Sequence, residues 1–411
     1  MKKASLVIKE IQEGTYNDVL KEVYIDESRI EKQPQRYVAA IEKFISLYGD
    51  QEIEIYSTPG RSEVSGNHTD HQNGKVICST INLNSRVSAS VSENNIISII
   101  SENYGKIMIE SDYKIIENSF SIISTKIIMG ILMELNLVVV EKGVSIYINS
   151  NIPSGSGLGS SAAFSLSIIK SFNELYDKGL SDLDMAKISQ KIENKYLGKN
   201  SGLMDQIACL HTGMIKIDFK NVEKPNIEKI DFNFSDFGYG VYIMNTEENH
   251  ENLIDDYKQI FDEMKFVASY FNKKSLREVS YRKFTKNIDD ISKKIPNRAV
   301  LRAYHYFMEN ARIDKFVELI RKRNDIEGIL KLINESGASS SHFLQNYYVP
   351  KSQYRGLDIA TMKMKILFNN EYLATKVCGG GFGGVLLVIV KNDDFSTINK
   401  LEKEDSLLRV L

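Results

Sequence analysis

Cysteine is scarce in this chain: Cys78, Cys209 and Cys378 stand far apart along 411 positions. Their number is odd and none has the close spacing of a metal site, so the chain suits a reducing compartment. Neither sign of charge is in excess. A formal net charge of −2 gives no global pull towards nucleic acid or anionic lipid. No uninterrupted apolar run approaches the length that spans a membrane. The stretch MKKASLVIKEIQEG has two lysines before Ala4 but too short an apolar run, ended by Lys9, for a signal peptide, which makes the cytoplasm the expected location. What is present is ordinary for a globular protein: 42% hydrophobic and 26% charged residues, in a chain long enough for two or three domains.

Against that plain background one stretch stands out, Ile152 to Ala163, reading IPSGSGLGSSAA. The alternation of Gly143–Ile148 before it predicts a strand. The spacing of Ala162, Leu166, Ile169 and Phe172 after it predicts a helix to about Tyr176. Glycines let backbone amides approach a ligand, and a helix start adds unpaired N–H groups and a positive dipole end. Together they make a candidate phosphate cradle from Ser154, Gly155, Ser156, Gly157, Leu158, Gly159, Ser160 and Ser161. A flexible Gly/Ser turn is the plain alternative. The dinucleotide pattern G-x-G-x-x-G fails at Ser160, and no Gly-Lys-Ser/Thr follows.

Residues 1–50 predict helices, and the alternation of residues 52–57 predicts a strand. Thr58 to Gly74 then reads as a loop that crowds Arg61, Glu63, Asn67, His68, Asp70 and His71 between glycines. Short polar groups at such density suit a polyhydroxylated ligand. A metal held by His68, Asp70 and His71 is conceivable, but no further His/Cys cluster accompanies them; a polar surface turn is the third reading.

Strands are expected at 76–81, 85–91, 96–100 and 106–109, then a helix at 122–135, which indicates an α+β arrangement. A helix over Asp184–Tyr196 carries Glu193. Asp205, beyond a glycine-containing loop, is a functional candidate or a helix cap. Polar residues 216–237 predict a boundary, giving domains 1–225 and 226–411. A strand at 240–245, a long helical region to about Arg323, a polar turn at Ser336–His342 and a strand–glycine–strand run around Cys378–Gly384 complete the second half. Arg302, Tyr304, His305 and Glu309 read as packing and capping residues.

Several of these segments resemble one family. Gly60-Arg61, Gly66, His68-Thr69-Asp70 and Asn73-Gly74 are similar to the galactokinase signature GRxNLIGEHTDYNxG. Pro153–Ala163 is similar to the PxxxGLxSSxA loop of the small-molecule kinases that include galactokinase, homoserine kinase, mevalonate kinase and phosphomevalonate kinase. Gly202-Leu203-Met204-Asp205-Gln206 resembles the family's GxMDQ, Gly379–Gly384 its GGGFGG, and His250 with Tyr257 its HxxxxxxY. The departures are Glu63 for the usual asparagine, Asn67 for the usual glutamate and His71 for the usual tyrosine. The family's arginine pair after Tyr257 is also missing.

The resemblance implies a two-domain α+β small-molecule kinase fold with its active site in the cleft between the domains. It implies ATP along Ser154–Ser161 and Mg2+ held by Ser161 and Glu193. Arg61 and Asp205 would be the catalytic pair. Asn67, His68, Asp70, Gly202, Asp205 and Tyr257 would meet the sugar. The implied reaction makes a sugar 1-phosphate from galactose or a related sugar, with wider tolerance at the place Asn67 faces. The implied partners are a sugar and ATP, with neither nucleic acid nor membrane. Two alternatives remain at this stage: a catalytically silent sugar sensor, and a kinase for a non-sugar alcohol.

Overall fold

The computed structural model describes residues 1–24, 27–102, 104–137, 142–246, 253–323, 325–350, 352–393, 395–404 and 406–411. Contacts gather into two compact units. The first comprises Met1–Gly60, Ile81–Pro153 and Gly159–Thr212; the second comprises Arg61–Thr80, Ser154–Leu158 and Gly213–Leu411. Neither is one continuous stretch, because the chain changes unit inside the strands Glu52–Ser65 and Lys75–Ser92 and inside the serine–glycine loop.

In the first unit the strand Gly143–Ser150 lies between two neighbours. It runs antiparallel to residues 85–92 and parallel to Ile97–Ser101. A parallel pair needs a long crossover, and residues 102–142 supply one that includes the helix Ile122–Glu134. Gly105–Ile109 and Ile115–Asn118 extend the sheet antiparallel. Helices Ala4–Gln12 and Gln33–Tyr48 bury Val7, Ile11, Ile41 and Phe44 together with Ile53 and Tyr147. The helix Ser160–Leu175 is buried over most of its circumference. Its serines tolerate this because Ser165, Ser167 and Ser171 donate back to carbonyls of their own helix.

In the second unit residues 75–79 pair antiparallel with Met214–Asp218, which pairs antiparallel with Asn226–Ile230. A separate antiparallel sheet has the order Leu373–Cys378, Val385–Lys391, Tyr239–Asn245, Leu408–Arg409. The helix Gly356–Leu367 seats Leu357, Ala360 and Met364 with Val377, Leu386 and Val388 of that sheet. Helices Ile254–Tyr270 and Asn297–Arg323 share a second core of Ile260, Met264, Val267, Ala303 and Phe307. The architecture is mixed α+β, as the sequence predicts. No helix among the described residues is long and apolar enough to cross a membrane.

Four local expectations change. The strands expected at 76–81 and 85–91 are one strand, Lys75–Ser92. The strand expected at 52–57 continues to Ser65, so Arg61 and Glu63 project from a strand and not from a loop. The polar stretch expected as a linker holds the end of one strand and all of another, Met214–Asp218 and Asn226–Ile230. Ser336–His342 is helical, split between Ile326–Ser339 and a wide π turn over Ser340–Leu344. Small residues sit there for closeness: a Cβ on Gly337 would stand 2.5 Å from the Thr375 carbonyl oxygen.

Candidate functional site

The head of the serine–glycine loop lies in the second unit against the glycine turn. Gly155 and Gly157 have left-handed backbones, φ +69° and +67°. A Cβ on Gly157 would stand 2.5 Å from the Cys378 carbonyl oxygen, and one on Gly379 would meet Gly157 Cα at 2.9 Å. Only glycine at both places permits this approach. Arg61 is buried on its strand, with its backbone N–H on the Leu158 carbonyl at 2.9 Å and its Nη1 donating to the Gly157 carbonyl. The loop's last residue, Gly159, belongs to the first unit. It is left-handed and precedes the helix that begins at Ser160, whose first turn carries Ser161.

The signature residues form a dense network with the glycine turn, all within the second unit. Asn67 Nδ2 donates to the Gly379 carbonyl at 2.8 Å, His68 Nε2 to the Gly380 carbonyl at 2.8 Å and Tyr257 Oη to the Gly381 carbonyl at 3.2 Å. A carbonyl only accepts, so His68 carries its proton on Nε2 and its Nδ1 accepts from His71 Nε2 at 3.3 Å. Shielding of the ring nitrogens from water pushes His68 down to about 4 and His71 well below its ordinary value, so both are neutral at pH 7. The Tyr257 ring stacks on that of His68, with centroids 6.3 Å apart and planes 23° apart. Asp70 Oδ1 accepts from the His71 backbone N–H at 2.8 Å.

Asn67, expected at the sugar, is wholly buried. Its Nδ2 also donates to Glu63 Oε2 at 3.0 Å, and its Oδ1 accepts from Asn346 Nδ2 at 2.8 Å and from Ser340 Oγ at 3.4 Å. Two hydrogens and two lone pairs are all taken by protein groups. His305 and Glu309, read as packing and capping residues, hold this segment directly. His305 Nε2 donates to the Asn67 carbonyl at 2.9 Å, and Glu309 Oε2 accepts from the Gly66 N–H at 3.0 Å. Glu309 is buried, which raises its carboxyl; His305, Arg312, Lys376 and the Gly66 N–H outweigh that and hold it below its ordinary value.

In the first unit a carboxylate gathers the other candidates. Glu193 Oε1 accepts from Ser161 Oγ at 2.8 Å and from Lys199 Nζ at 3.1 Å. Its Oε2 accepts from Ser201 Oγ at 3.2 Å and Gln206 Nε2 at 3.3 Å. The helix Asp182–Tyr196 that carries it starts at a capping box of Ser181 and Asp184. Asp205 is half-buried in the first turn of the helix Met204–Leu210, one residue inside its start, and is not the cap; Gly202 is half-buried just before. No group of three or more His, Cys, Asp and Glu suited to a metal occurs among the described residues. Ser161 and Glu193 nevertheless offer two hard oxygens already in contact. That donor set fits a small divalent cation that completes its shell with water and phosphate oxygens. His250 lies outside the described residues.

The sequence reading missed Lys376 and Asn346. Lys376 had a visible signal, a lone lysine in the apolar strand Leu373–Cys378; Asn346 had none.

Comparison with known proteins places this geometry in a class. Residues 125–213 match the GHMP kinases N terminal domain, and residues 42–91 match the galactokinase galactose-binding signature. The chain belongs to the GHMP kinases, proteins that use ATP. Within them it falls with the galactokinases. It is 28% identical over 370 residues to the galactokinase of Lactococcus lactis subsp. cremoris, covering 88% of this chain and 89% of that one. It is 28% identical over 359 residues to the galactokinase of Clostridium perfringens, covering 85% and 88%. The crystal structure of Lactococcus lactis galactokinase complexed with galactose superposes with a TM-score of 0.76 at 25% identity, covering 90% of this chain and 96% of that one. The Methanococcus jannaschii mevalonate kinase shares the fold, with a TM-score of 0.58 at 21% identity, covering 87% and 98%.

Proposed function

We propose that this chain is an ATP-dependent kinase that phosphorylates the anomeric hydroxyl of galactose, or of a sugar configured like it, to the sugar 1-phosphate. The observation that carries the reading is the match of residues 42–91 to the galactose-binding signature. Asp205 accepts the proton of the attacking hydroxyl or orients that hydroxyl. Arg61 offsets charge on the transferring phosphoryl group. His68, Asp70, Gly202 and Tyr257 bound the sugar, and the backbone of Ser154–Ser161 cradles the phosphates. Ser161 and Glu193 would hold magnesium, which when bound offsets charge on phosphate oxygens. Positioning and electrostatics carry most of phosphoryl transfer, so this small set of groups suffices. The three cysteines are buried thiols, which fits work in the cytoplasm.

The test is a coupled assay of ATP consumption over free sugars, mevalonate and homoserine, with the product identified by phosphorus NMR. Galactose should give the highest kcat/KM and an anomeric phosphate. Turnover with mevalonate or homoserine and none with any sugar would overturn the reading.

A further inference from the structure

Lys376 lies in the middle of the strand Leu373–Cys378 and is 0% exposed. A buried ammonium needs a counter-charge. Glu63, 2% exposed, supplies it through Oε1 at 2.6 Å, and the Glu63 backbone carbonyl accepts from the same Nζ at 3.1 Å. The second carboxylate oxygen takes one hydrogen of Asn67 Nδ2, and the Gly379 carbonyl takes the other. Asn346 Nδ2 spans Asn67 Oδ1 and the Gly380 carbonyl, the latter at 3.0 Å, while the Asn346 backbone carbonyl accepts from the Phe382 N–H. Gly379 rests on Gly157 with no room for a Cβ. A continuous run of contacts therefore leads from Lys376 through Glu63 and Asn67 to the glycine turn and on to the head of the serine–glycine loop.

We propose that Asn67 is a positioning residue, and that Glu63 and Asn67 act as one carboxylate–amide unit that sets the glycine turn against the loop at Gly155–Leu158. The chemistry of the two positions is exclusive. A carboxylate at 67 has no hydrogen for Glu63 Oε2 or for the Gly379 carbonyl, and it puts two buried carboxylates beside one ammonium. An amide at 63 leaves the buried Lys376 with no carboxylate in contact. Exchanging both restores one carboxylate and one amide. The galactokinase signature itself has its asparagine and glutamate in that reversed order. The Asn67 side chain has no hydrogen or lone pair left for a ligand, so it acts on the nucleotide through the turn and does not read the sugar.

The galactose arm of the test rests on the kinase reading above; the stability and nucleotide arms do not. The experiment is a double-mutant cycle in the full chain with Glu63→Asn, Asn67→Glu and the pair together. Melting temperature, ATP affinity by calorimetry, and kcat and KM for both substrates are measured. Each single change should lower the melting temperature and weaken ATP binding by roughly tenfold, the size of an ordinary coupling between sites. The double change should recover most of both losses. KM for galactose should stay within a factor of about two in every folded variant, since no sugar contact is removed. If the single variants do not fold, folding of the double variant supports the proposal, and Asn67→Ala then carries the nucleotide measurement. Three outcomes would overturn it: an Asn67→Glu protein as stable and as tight for ATP as its parent, a double variant no better than the sum of the singles, or an Asn67→Ala protein that loses galactose affinity alone. An unsubstituted protein inert towards galactose would instead sink the kinase reading and leave the cycle interpretable.

Discussion

Two buried carboxylates in this molecule each hold a lysine, and their settings differ. The Glu193 side chain is 8% exposed, and its Lys199 partner is 38% exposed at 3.1 Å. The Glu63 side chain is 2% exposed, and its Lys376 partner is 0% exposed at 2.6 Å. Around Glu193 the remaining contacts are two serine hydroxyls and a glutamine amide, groups that can turn to accommodate another cation. Around Glu63 the contacts are a strand lysine and an amide with no capacity to spare. The same pair of residue types therefore stands in a partly solvent-open cluster in one unit and in a sealed joint in the other. Access of water to the lysine, more than the distance between charges, separates the two cases.

Four substitutions would break or sharpen this contrast. The largest effect belongs to the half-buried carboxylate Asp205. Asp205→Asn should lower kcat by roughly 10²–10⁴-fold, the range for lost acid–base assistance, while urea denaturation and ATP calorimetry change little. Survival of turnover within a factor of about ten would reduce Asp205 to a packing or sugar contact. Next is the sealed joint: Glu63→Gln should cost about 3–5 kcal/mol of stability, the penalty for stranding a buried charge, read from the shift in the urea midpoint. Glu193→Gln should act the other way. Stability should change by less than about 1 kcal/mol, while the magnesium needed for half-maximal turnover rises roughly 10–100-fold, as in other disturbed metal shells. The smallest effect is at Lys199. Lys199→Met should shift stability by under about 1 kcal/mol and reduce the magnesium requirement, because the competing ammonium is gone. If that variant needs more magnesium, Lys199 is part of the nucleotide site and the contrast fails.

Local signals carried much of this. The strand–loop–helix around Gly157, the capped helix bearing Glu193 and the glycine turn between two strands are all written in short stretches. Where the reading stopped short, the missing information was long-range. Pro59-Gly60 reads as the end of a strand, because proline gives no ladder donor and glycine weakens pairing; the strand nevertheless runs on to Ser65. Ser336-Gly337-Ala338-Ser339 reads as a polar turn, yet it continues the helix Ile326–Ser339, and Gly337 lies too close to Thr375 for a side chain. The role expected of Asn67 depended on its partners Gly379 and Asn346, 312 and 279 positions away. Lys376 needed a carboxylate 313 positions away to make sense. A lone charge inside an apolar strand announces that a partner exists without saying which.

The interleaving of the two contact units bears on whether the chain can be divided. A fragment beginning at Asn226 would keep Lys376 without Glu63, Glu309 without the Gly66 amide, and the strand Asn226–Ile230 without Met214–Asp218. The complementary fragment would carry a carboxylate and an asparagine shaped to fit partners it no longer has. Any single scission between residues 81 and 212 likewise divides both units, since residues 61–80 belong with the second. A cut after residue 212 keeps the segments of the first unit together but still divides the second, so gene truncation, proteolytic nicking and recombination at one crossover never leave both units whole.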